Sequence, residues 1–170
     1  MSHGHSHGGG CSCGAEHTES PERGIEYGLY QKIDMDKLQC LNENQEGSGR
    51  TVFRAWEERC DRSLFVESDA DEELLFNITF TGNVKLKGII LIGDDSDMHP
   101  AEMRLFKNIP QMSFDDTGRE ADQVFSLNTD LTGELEYPTN SLFKRDTSLN
   151  PYFQELWSRE NKDLLHWFKG

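Results

Sequence analysis

The residues best suited to chemistry lie near the N-terminus, where histidine and cysteine alternate with glycine and serine. Imidazole and thiolate groups are the ligands that Zn, Ni or Cu takes in proteins. The candidate metal ligands are His3, His5, His7, Cys11 and Cys13. Their spacing matches no closed structural zinc site, so adventitious metal binding by a tail is favoured over a built site. Metal handling is one functional hypothesis, and no cofactor is expected.

Two acidic segments offer the oxygen ligands that calcium takes. They read ESDADEE at 67–73 and DDSDMHP at 94–100. Both lack the DxDxDG pattern of a calcium loop, and they flank one strand-rich stretch at its opposite ends, so a shared site is not expected. Solvated loops that favour solubility and steer basic partners are the preferred interpretation. The carboxylates concerned are Asp69, Asp71, Glu72, Glu73, Asp94, Asp95 and Asp97.

Nucleophilic catalysis would need a thiol next to a base, and Cys40 or Cys60 with His99 is a conceivable pair. Cys40 lies at an apolar position of the sequence, where buried thiols are usually inert. The Gly47-Ser48-Gly49 loop lacks the lysine and the strand-to-helix context of a phosphate-binding loop. No catalytic constellation stands out, and the chain is predicted not to be an enzyme.

Charge and hydropathy narrow the class of partner. The 170 residues include 17 basic and 31 acidic side chains, a formal net charge of −14. This charge disfavours nucleic acid and acidic membrane surfaces, whose binders carry basic patches. No apolar run reaches the ~20 residues that span a bilayer, and no signal peptide is visible. We therefore expect free cysteines, protein partners, a monomer, and a cytoplasmic and nuclear location.

The elements that must position any site are predicted to be short strands. The stretch 74–93 shows period-two apolar runs on both sides of Thr81-Gly82-Asn83, which predicts a β-hairpin. Further short strands are predicted at 103–107, 123–127 and 134–137, with a turn at Thr132-Gly133. The segment after the Gly47-Ser48-Gly49 loop is expected to be irregular and to pack its larger side chains on the core, namely Val52, Phe53, Trp56, Leu64, Phe65 and Val66. Short strands separated by turns are typical of an all-β sandwich.

The two ends of the chain differ from this strand-rich part. Residues 1–24 have almost no apolar side chain and are predicted to form a flexible tail. After Pro138 the composition changes, and Asn150-Pro151 has the pattern of a helix start. An amphipathic helix is predicted at about 151–168. Its apolar face would contain Phe153, Leu156, Trp157, Leu164, Leu165 and Phe168.

Several stretches together resemble a known family. The longest is SDADEELLFNITFTGNVKLKGIILIGDDSDMHPAEMRLFKNIPQMSFDD, accompanied by YGLYQKIDMDKLQCLNE and DLTGELEY. They resemble the PITH domain, which also occurs at the C-terminus of the proteasome-interacting thioredoxin-like protein. The resemblance covers residues 1–137 and implies a jelly-roll β-sandwich similar to galactose-binding-like domains. It also implies a non-catalytic interaction module with proteasome subunits among its partners.

Two departures from the family limit what the resemblance implies. Cys11-Ser12-Cys13 is CxC rather than CxxC, and no thioredoxin domain is present, so reductase activity is not carried over. Beyond Tyr137 the family continues with further strands, whereas this chain reads NSLFKRDTSLNPYFQELW. We therefore predict a sandwich over 25–137 that lacks its C-terminal strands, is less stable than a complete domain, and is followed by an alternative C-terminus over 138–170.

Three functional hypotheses follow. The first is a PITH-type protein-interaction module that associates with the 26S proteasome or its factors. The second is a ligand-binding jelly roll that takes a sugar or calcium, with Trp56 and the acidic loops as contacts. The third is metal binding by the tail. The sequence does not identify which residues meet a protein partner.

Overall fold

The computed structural model describes residues 28–93, 99–143 and 146–154. Its strands are β1 (Gln39–Leu41), β2 (Glu73–Val84), β3 (Gly88–Ile90), β4 (Glu102–Lys107), β5 (Gln123–Ser126), β6 (Glu136–Pro138) and β7 (Asp146–Gln154). A one-turn helix, α1, spans Ser48–Thr51, and 3-10 turns span Leu29–Lys32, Trp56–Glu58 and Phe114–Gly118. The all-β prediction is confirmed. Within these residues, no helix combines the length and apolarity needed to cross a membrane.

The strands form two antiparallel sheets. The larger has the order β1-β2-β7-β4-β5, and the smaller pairs β3 with β6. The pairs β2–β7, β3–β6 and β4–β5 are nested along the sequence, each pair enclosing the next. Nested antiparallel pairing of this kind rolls a chain into a jelly roll. The jelly-roll prediction is therefore confirmed.

The predicted end of the sandwich at Tyr137 is wrong. Strand β7 lies in the middle of the larger sheet, paired with β2 on one side and β4 on the other. The predicted helix is likewise wrong over 151–154, where the chain is strand. Strand β7 supplies this central strand, and lower stability than that of a complete domain stays a prediction. The rest of the predicted helix and the flexible tail at 1–24 lie outside the described residues.

The predicted hairpin at 74–93 is also wrong. Strand β2 continues through Thr81, Gly82 and Asn83 to Val84, and the pairing with β7 shifts between Thr79 and Val84. The turn-forming residues are thus accommodated as a bulge, which bends a strand without reversing it. The following strand, β3, pairs with β6 in the other sheet. The short strands predicted from 103 onward are confirmed as β4, β5 and β6, and Gly133 has a φ of 79°, as a turn glycine should.

The main core lies between the sheets. Phe76 of β2 makes edge-to-face contacts with Phe153 of β7 and with Phe53, at centroid distances of 6.0 and 5.8 Å. A second apolar cluster covers the outer face of the larger sheet, beneath the segment that follows β4. Its buried members are Leu75, Phe106, Met112 and Tyr152.

A buried amide joins this covering segment to the sheet. Asn77 is only 7% exposed, and its Oδ1 accepts hydrogen bonds from Met112 N (3.0 Å) and Asn150 Nδ2 (2.7 Å). Its Nδ2 donates to Met112 O at 2.9 Å. The Asn77 side chain therefore pairs with Met112 as a neighbouring strand would, and satisfies polar groups that burial would otherwise leave costly.

A close approach at Gly49 yields a stability prediction. Its amide donates to the Glu43 carboxylate at 2.7 Å, and an added Cβ would meet Cys40 Cβ, with Cys40 Sγ and Glu43 Oε2 both 3.0 Å away. We expect Gly49→Ala to lower the free energy of unfolding by about 2 kcal/mol, because the added methyl overpacks a closed contact. Urea unfolding measures it.

Gly118→Ala is the matched control, since an added Cβ there meets nothing within 4 Å. Its effect should stay within about 0.5 kcal/mol. Equal effects of the two substitutions would show that α1 does not pack against β1.

Candidate interaction surface

The predicted metal ligands His3, His5, His7, Cys11 and Cys13 lie outside the described residues, as do Asp94, Asp95 and Asp97. Within the part of the chain that the structure describes, no three His, Cys, Asp or Glu side chains are grouped so as to hold a metal ion. The carboxylates of 67–73 therefore do not form such a group among themselves. Metal binding by the tail stays a prediction.

The Cys40 thiol is held in its protonated form. Burial, reinforced by the negative charge of Glu43, raises the pKa of Cys40 far above its usual range. Because the thiolate is the nucleophile, a thiol with a raised pKa reacts slowly. Cys40 instead packs against the main core, where its Cβ closes the contact with Gly49.

Trp56, the predicted sugar contact, packs against other residues of the fold. Its ring packs on Ile90 and Ile92, and the Arg59 guanidinium lies 4.1 Å from the ring centroid. Arg59 also donates to Trp56 O at 3.2 Å. Arg59 therefore lies over one face of the ring, where a sugar would otherwise stack. The cation–π contact stays within the Trp56–Arg59 turn. It is the packing of Trp56 on Ile90 and Ile92 that places this segment against the smaller sheet.

Arg62 connects its own segment by hydrogen bonds to the chain after β3 and to the β5–β6 connection. Its Nη1 donates to Gly93 O at 2.7 Å, beyond the end of β3, and its Nη2 donates to Leu131 O in the β5–β6 connection. Hydrogen bonds from a charged donor are stronger than neutral ones. The chain around Arg62 is therefore fixed to the rest of the sandwich although it has no regular secondary structure.

Asp130 organises the β5–β6 connection. Its Oδ1 accepts from Thr132 N (3.0 Å) and Gly133 N (2.9 Å), and its Oδ2 accepts from Leu135 N at 2.7 Å. The backbone oxygen of Asp130 accepts from Gly93 N at 2.9 Å. Three amides converging on one buried carboxylate fix the shape of this loop, and with it the position of Leu131.

Two adjacent apolar side chains project from the segment that Arg62 anchors. Leu64 is 39% exposed and Phe65 is 41% exposed, whereas the next residue, Val66, is fully buried. Leu131, whose carbonyl accepts from Arg62, is 37% exposed. We call Leu64, Phe65 and Leu131 the Leu64–Phe65 surface.

The prediction that this irregular segment packs its larger side chains on the core is confirmed for Val52, Phe53 and Val66, which are buried. It is wrong for Leu64 and Phe65, because the chain bends at Leu64 before Val66 enters the core.

The chain that follows this surface is fixed as well. Asn44 N donates to Glu67 O at 2.8 Å, and Asn44 Nδ2 donates to the Glu67 carboxylate at 3.1 Å. An isolated bridge joins Glu43 to Ser68. The Leu64–Phe65 surface is thus held by hydrogen bonds both before and after it, so its exposure is a property of the folded chain.

Asn42 shapes the acidic loop at 67–73. It has a φ of 68°, a left-handed conformation that asparagine tolerates. Its Nδ2 donates to Asp71 O and Glu73 O, at 2.9 and 2.7 Å, and its Oδ1 accepts from Ala70 N at 3.1 Å. This one side chain thus makes three hydrogen bonds to the loop backbone. Asp69 and Asp71 are exposed, whereas the Glu73 carboxylate accepts from the Tyr152 hydroxyl at 2.7 Å.

Sequence reasoning missed Asn42, Arg62 and Asp130 as organising residues. Each acts on backbone groups that are distant along the chain, and no local pattern marks such contacts. Three consecutive apolar residues at 64–66 indicate that at least one side chain faces outward, but alternation would place Leu64 and Val66 on the same side and so does not identify the exposed pair.

Comparisons with known proteins agree on one family. The PITH domain model matches residues 19–166. PITH domain-containing protein 1 of Xenopus laevis is 68% identical over 167 residues, covering 98% of this chain and 80% of that protein. The protein of the same name from Homo sapiens is 76% identical over 141 residues, covering 82% and 67%. The family match extends over β7.

A solved structure with a similar fold is the CBM32-3 module of a family 31 glycoside hydrolase from Clostridium perfringens. It has a TM-score of 0.48 and 12% sequence identity, covering 84% of this chain and 97% of that chain.

Proposed function

We propose, from the premise that the chain belongs to the PITH domain family, that it is a non-catalytic protein-interaction module. We further propose that its partners are the 26S proteasome or its associated factors. The proteasome is chosen because the same domain occurs in the proteasome-interacting thioredoxin-like protein. A monomeric state and a cytoplasmic and nuclear location belong to the same proposal.

The observation that carries the proposal is the Leu64–Phe65 surface. Exposed apolar surface rimmed by polar residues marks interaction sites, and Leu64 and Phe65 are exposed neighbours along the chain. Here they sit on a backbone fixed by Arg62 on one side and Asn44 on the other. A surface already held in shape loses little conformational entropy on binding, which favours affinity.

The titratable residues support the non-catalytic part of the proposal. The raised pKa of Cys40 works against a thiol nucleophile. His99 Nδ1 lies 3.1 Å from the carbonyl oxygen of Pro100. The Trp56 ring contacts Arg59 and the smaller sheet, which supports protein binding over carbohydrate binding as the role of this face.

Affinity purification of the full chain, followed by quantitative mass spectrometry, tests the proposal. We expect proteasome lid subunits to be enriched over a tag-only control. A glycan array with the same protein provides the contrasting result. Binding to a glycan, together with no enrichment of proteasome subunits, would overturn the interaction-module proposal in favour of a carbohydrate-binding jelly roll.

A further inference from the structure

We propose that the Leu64–Phe65 surface binds a basic amphipathic segment of a partner protein. The apolar side chains of that segment would pack on Leu64 and Phe65, and its Lys and Arg side chains would face the carboxylates on both sides. The inference rests on the proposed interaction function and specifies the chemistry of the partner at that surface.

The charge around the surface is strongly negative. Residues 57–73 contain eight acidic and two basic side chains, a net charge of −6 within a chain of −14. The acidic residues lie both before and after Leu64-Phe65. They are Glu57, Glu58, Asp61, Glu67, Asp69, Asp71, Glu72 and Glu73. An apolar pair set between carboxylates is complementary to a segment that carries apolar and basic side chains together.

The two basic side chains of this stretch make contacts inside the fold. Arg59 lies over the Trp56 ring, and Arg62 donates to the carbonyls of Gly93 and Leu131. Arg62 is exposed and both guanidinium groups keep their positive charge, so they are counted in the net charge of −6. The outward-facing groups next to Leu64 and Phe65 are mainly carboxylates, with Glu57, Glu58 and Asp61 all exposed.

The carboxylates on the far side are held in place rather than carried on a free loop. Asn42 bonds the backbone at Ala70, Asp71 and Glu73, and Asn44 bonds Glu67. Asp69 and Asp71 are exposed. A fixed array of like charges attracts opposite charge over a longer range than the apolar contact, and thus steers association before the apolar side chains meet.

The same charges disfavour other occupants. A second copy of the chain would bring another net charge of −14 against this one, and an acidic peptide or a nucleic acid would meet the same repulsion. The apolar pair, in turn, disfavours a purely basic segment without apolar side chains, because Leu64 and Phe65 would stay exposed.

Fluorescence anisotropy with the full chain tests the proposal. The probe is a labelled Lys/Leu peptide with leucines at helical spacing. A scrambled peptide of the same composition and a version with Glu in place of Lys are the matched controls. We expect the amphipathic basic peptide to bind about tenfold more tightly than the scrambled one, and the acidic version not to bind. Raising the salt from about 50 to about 300 mM should weaken binding, since it screens the charges.

The double variant Leu64→Ser/Phe65→Ser should weaken binding of the amphipathic peptide about tenfold. Val124→Ser is the matched control, because Val124 on β5 is 53% exposed and lies away from this surface along the chain. It should leave the affinity unchanged. Thermal unfolding of all three proteins checks that the fold is retained.

Three results would overturn the inference. One is equal binding of the amphipathic and scrambled peptides. Another is unchanged affinity in the double variant. The third is a surface that is already occupied in the free protein. Nuclear Overhauser contacts from the Leu64 methyls to the indole of Trp157 or Trp167 would identify the occupant as the chain's own C-terminal segment. A dimer that is lost in the double variant would identify the occupant as a second copy.

The outcome is separable from that of the proposed function. If the proteasome is recovered equally by the wild type and the double variant, the interaction proposal stands and this inference fails. If the peptide results hold but no proteasome subunit is recovered, the surface chemistry stands and the assignment of the proteasome fails.

Discussion

Phe153→Ala is expected to lower the free energy of unfolding by about 4 kcal/mol. Phe153 is fully buried in β7, and its ring stacks edge to face on Phe76 at 6.0 Å, while Phe76 stacks in turn on Phe53. Removing the ring deletes its apolar contacts and opens a cavity in the middle of the core, where surrounding strands restrain collapse. The shift of the urea unfolding midpoint, followed by circular dichroism, measures the effect.

The matched control is Phe65→Ala, the same chemical change at a side chain that is 41% exposed. It should alter stability by no more than about 0.5 kcal/mol. If both variants unfold at the wild-type midpoint, β7 does not belong to the core, and residues 146–154 return to the place outside the sandwich that the sequence suggests.

Asn77→Ala is expected to cost about 3 kcal/mol. The side chain makes three hydrogen bonds in a buried site, to Met112 N, Met112 O and Asn150 Nδ2, and each such bond contributes about 1 kcal/mol. The substitution also leaves Met112 N and Met112 O without this partner, which carries a desolvation cost of its own, whereas Asn150 Nδ2 keeps its hydrogen bond to Ile109 O at 3.1 Å. Urea unfolding gives the loss of stability, and exchange of the Met112 amide hydrogen should accelerate because its acceptor is gone.

Asn44→Ala is the corresponding control at an exposed asparagine, whose side chain bonds Glu67. It should cost less than about 1 kcal/mol and leave the Met112 amide protected. An Asn77→Ala variant that retains slow exchange at Met112 would show that the covering segment is attached to the sheet by other contacts.

The fold class was accessible from the sequence because short apolar runs and turn residues act locally. Met103 and Phe125 lie in runs whose ends are marked by Pro110 and Gly133, and those strands were placed correctly. The sequence does not predict the positions of β2 and β3 correctly, since Gly82 and Asn83 suit a turn and a bulge equally well. Which one forms depends on pairing with β7, more than sixty residues further along the chain.

The sequence of β7 predicts a helix instead of a strand for a related reason. Leu149 and Phe153 are four residues apart, a spacing that fits one face of a helix and also one face of a strand. Pro151 favours the helix prediction, because proline suits a first helical turn and is uncommon within a sheet. The structure nevertheless places Pro151 opposite Leu105, in a strand whose side chains are buried on both faces.

The Leu64–Phe65 surface depends on contacts that composition does not encode. The sequence alone shows the acidic character of the loop at 67–73 and predicts that it steers basic partners. It does not predict the exposure of Phe65, because that exposure follows from the bonds of Arg62 to Gly93 and Leu131, which are 31 and 69 residues away. Exposure set by such distant anchors emerges only in the folded chain.

The nested strand order has a consequence for biosynthesis. Strand β7 lies in space between β2 and β4, yet the ribosome delivers it after both. Until residues 146–154 leave the exit tunnel, β2 and β4 face a gap, and their unpaired backbones invite intermolecular pairing. Closure must then join residues some seventy positions apart, a high contact order that slows folding. A nascent chain halted before β7 should therefore recruit chaperones, and release them once that strand emerges.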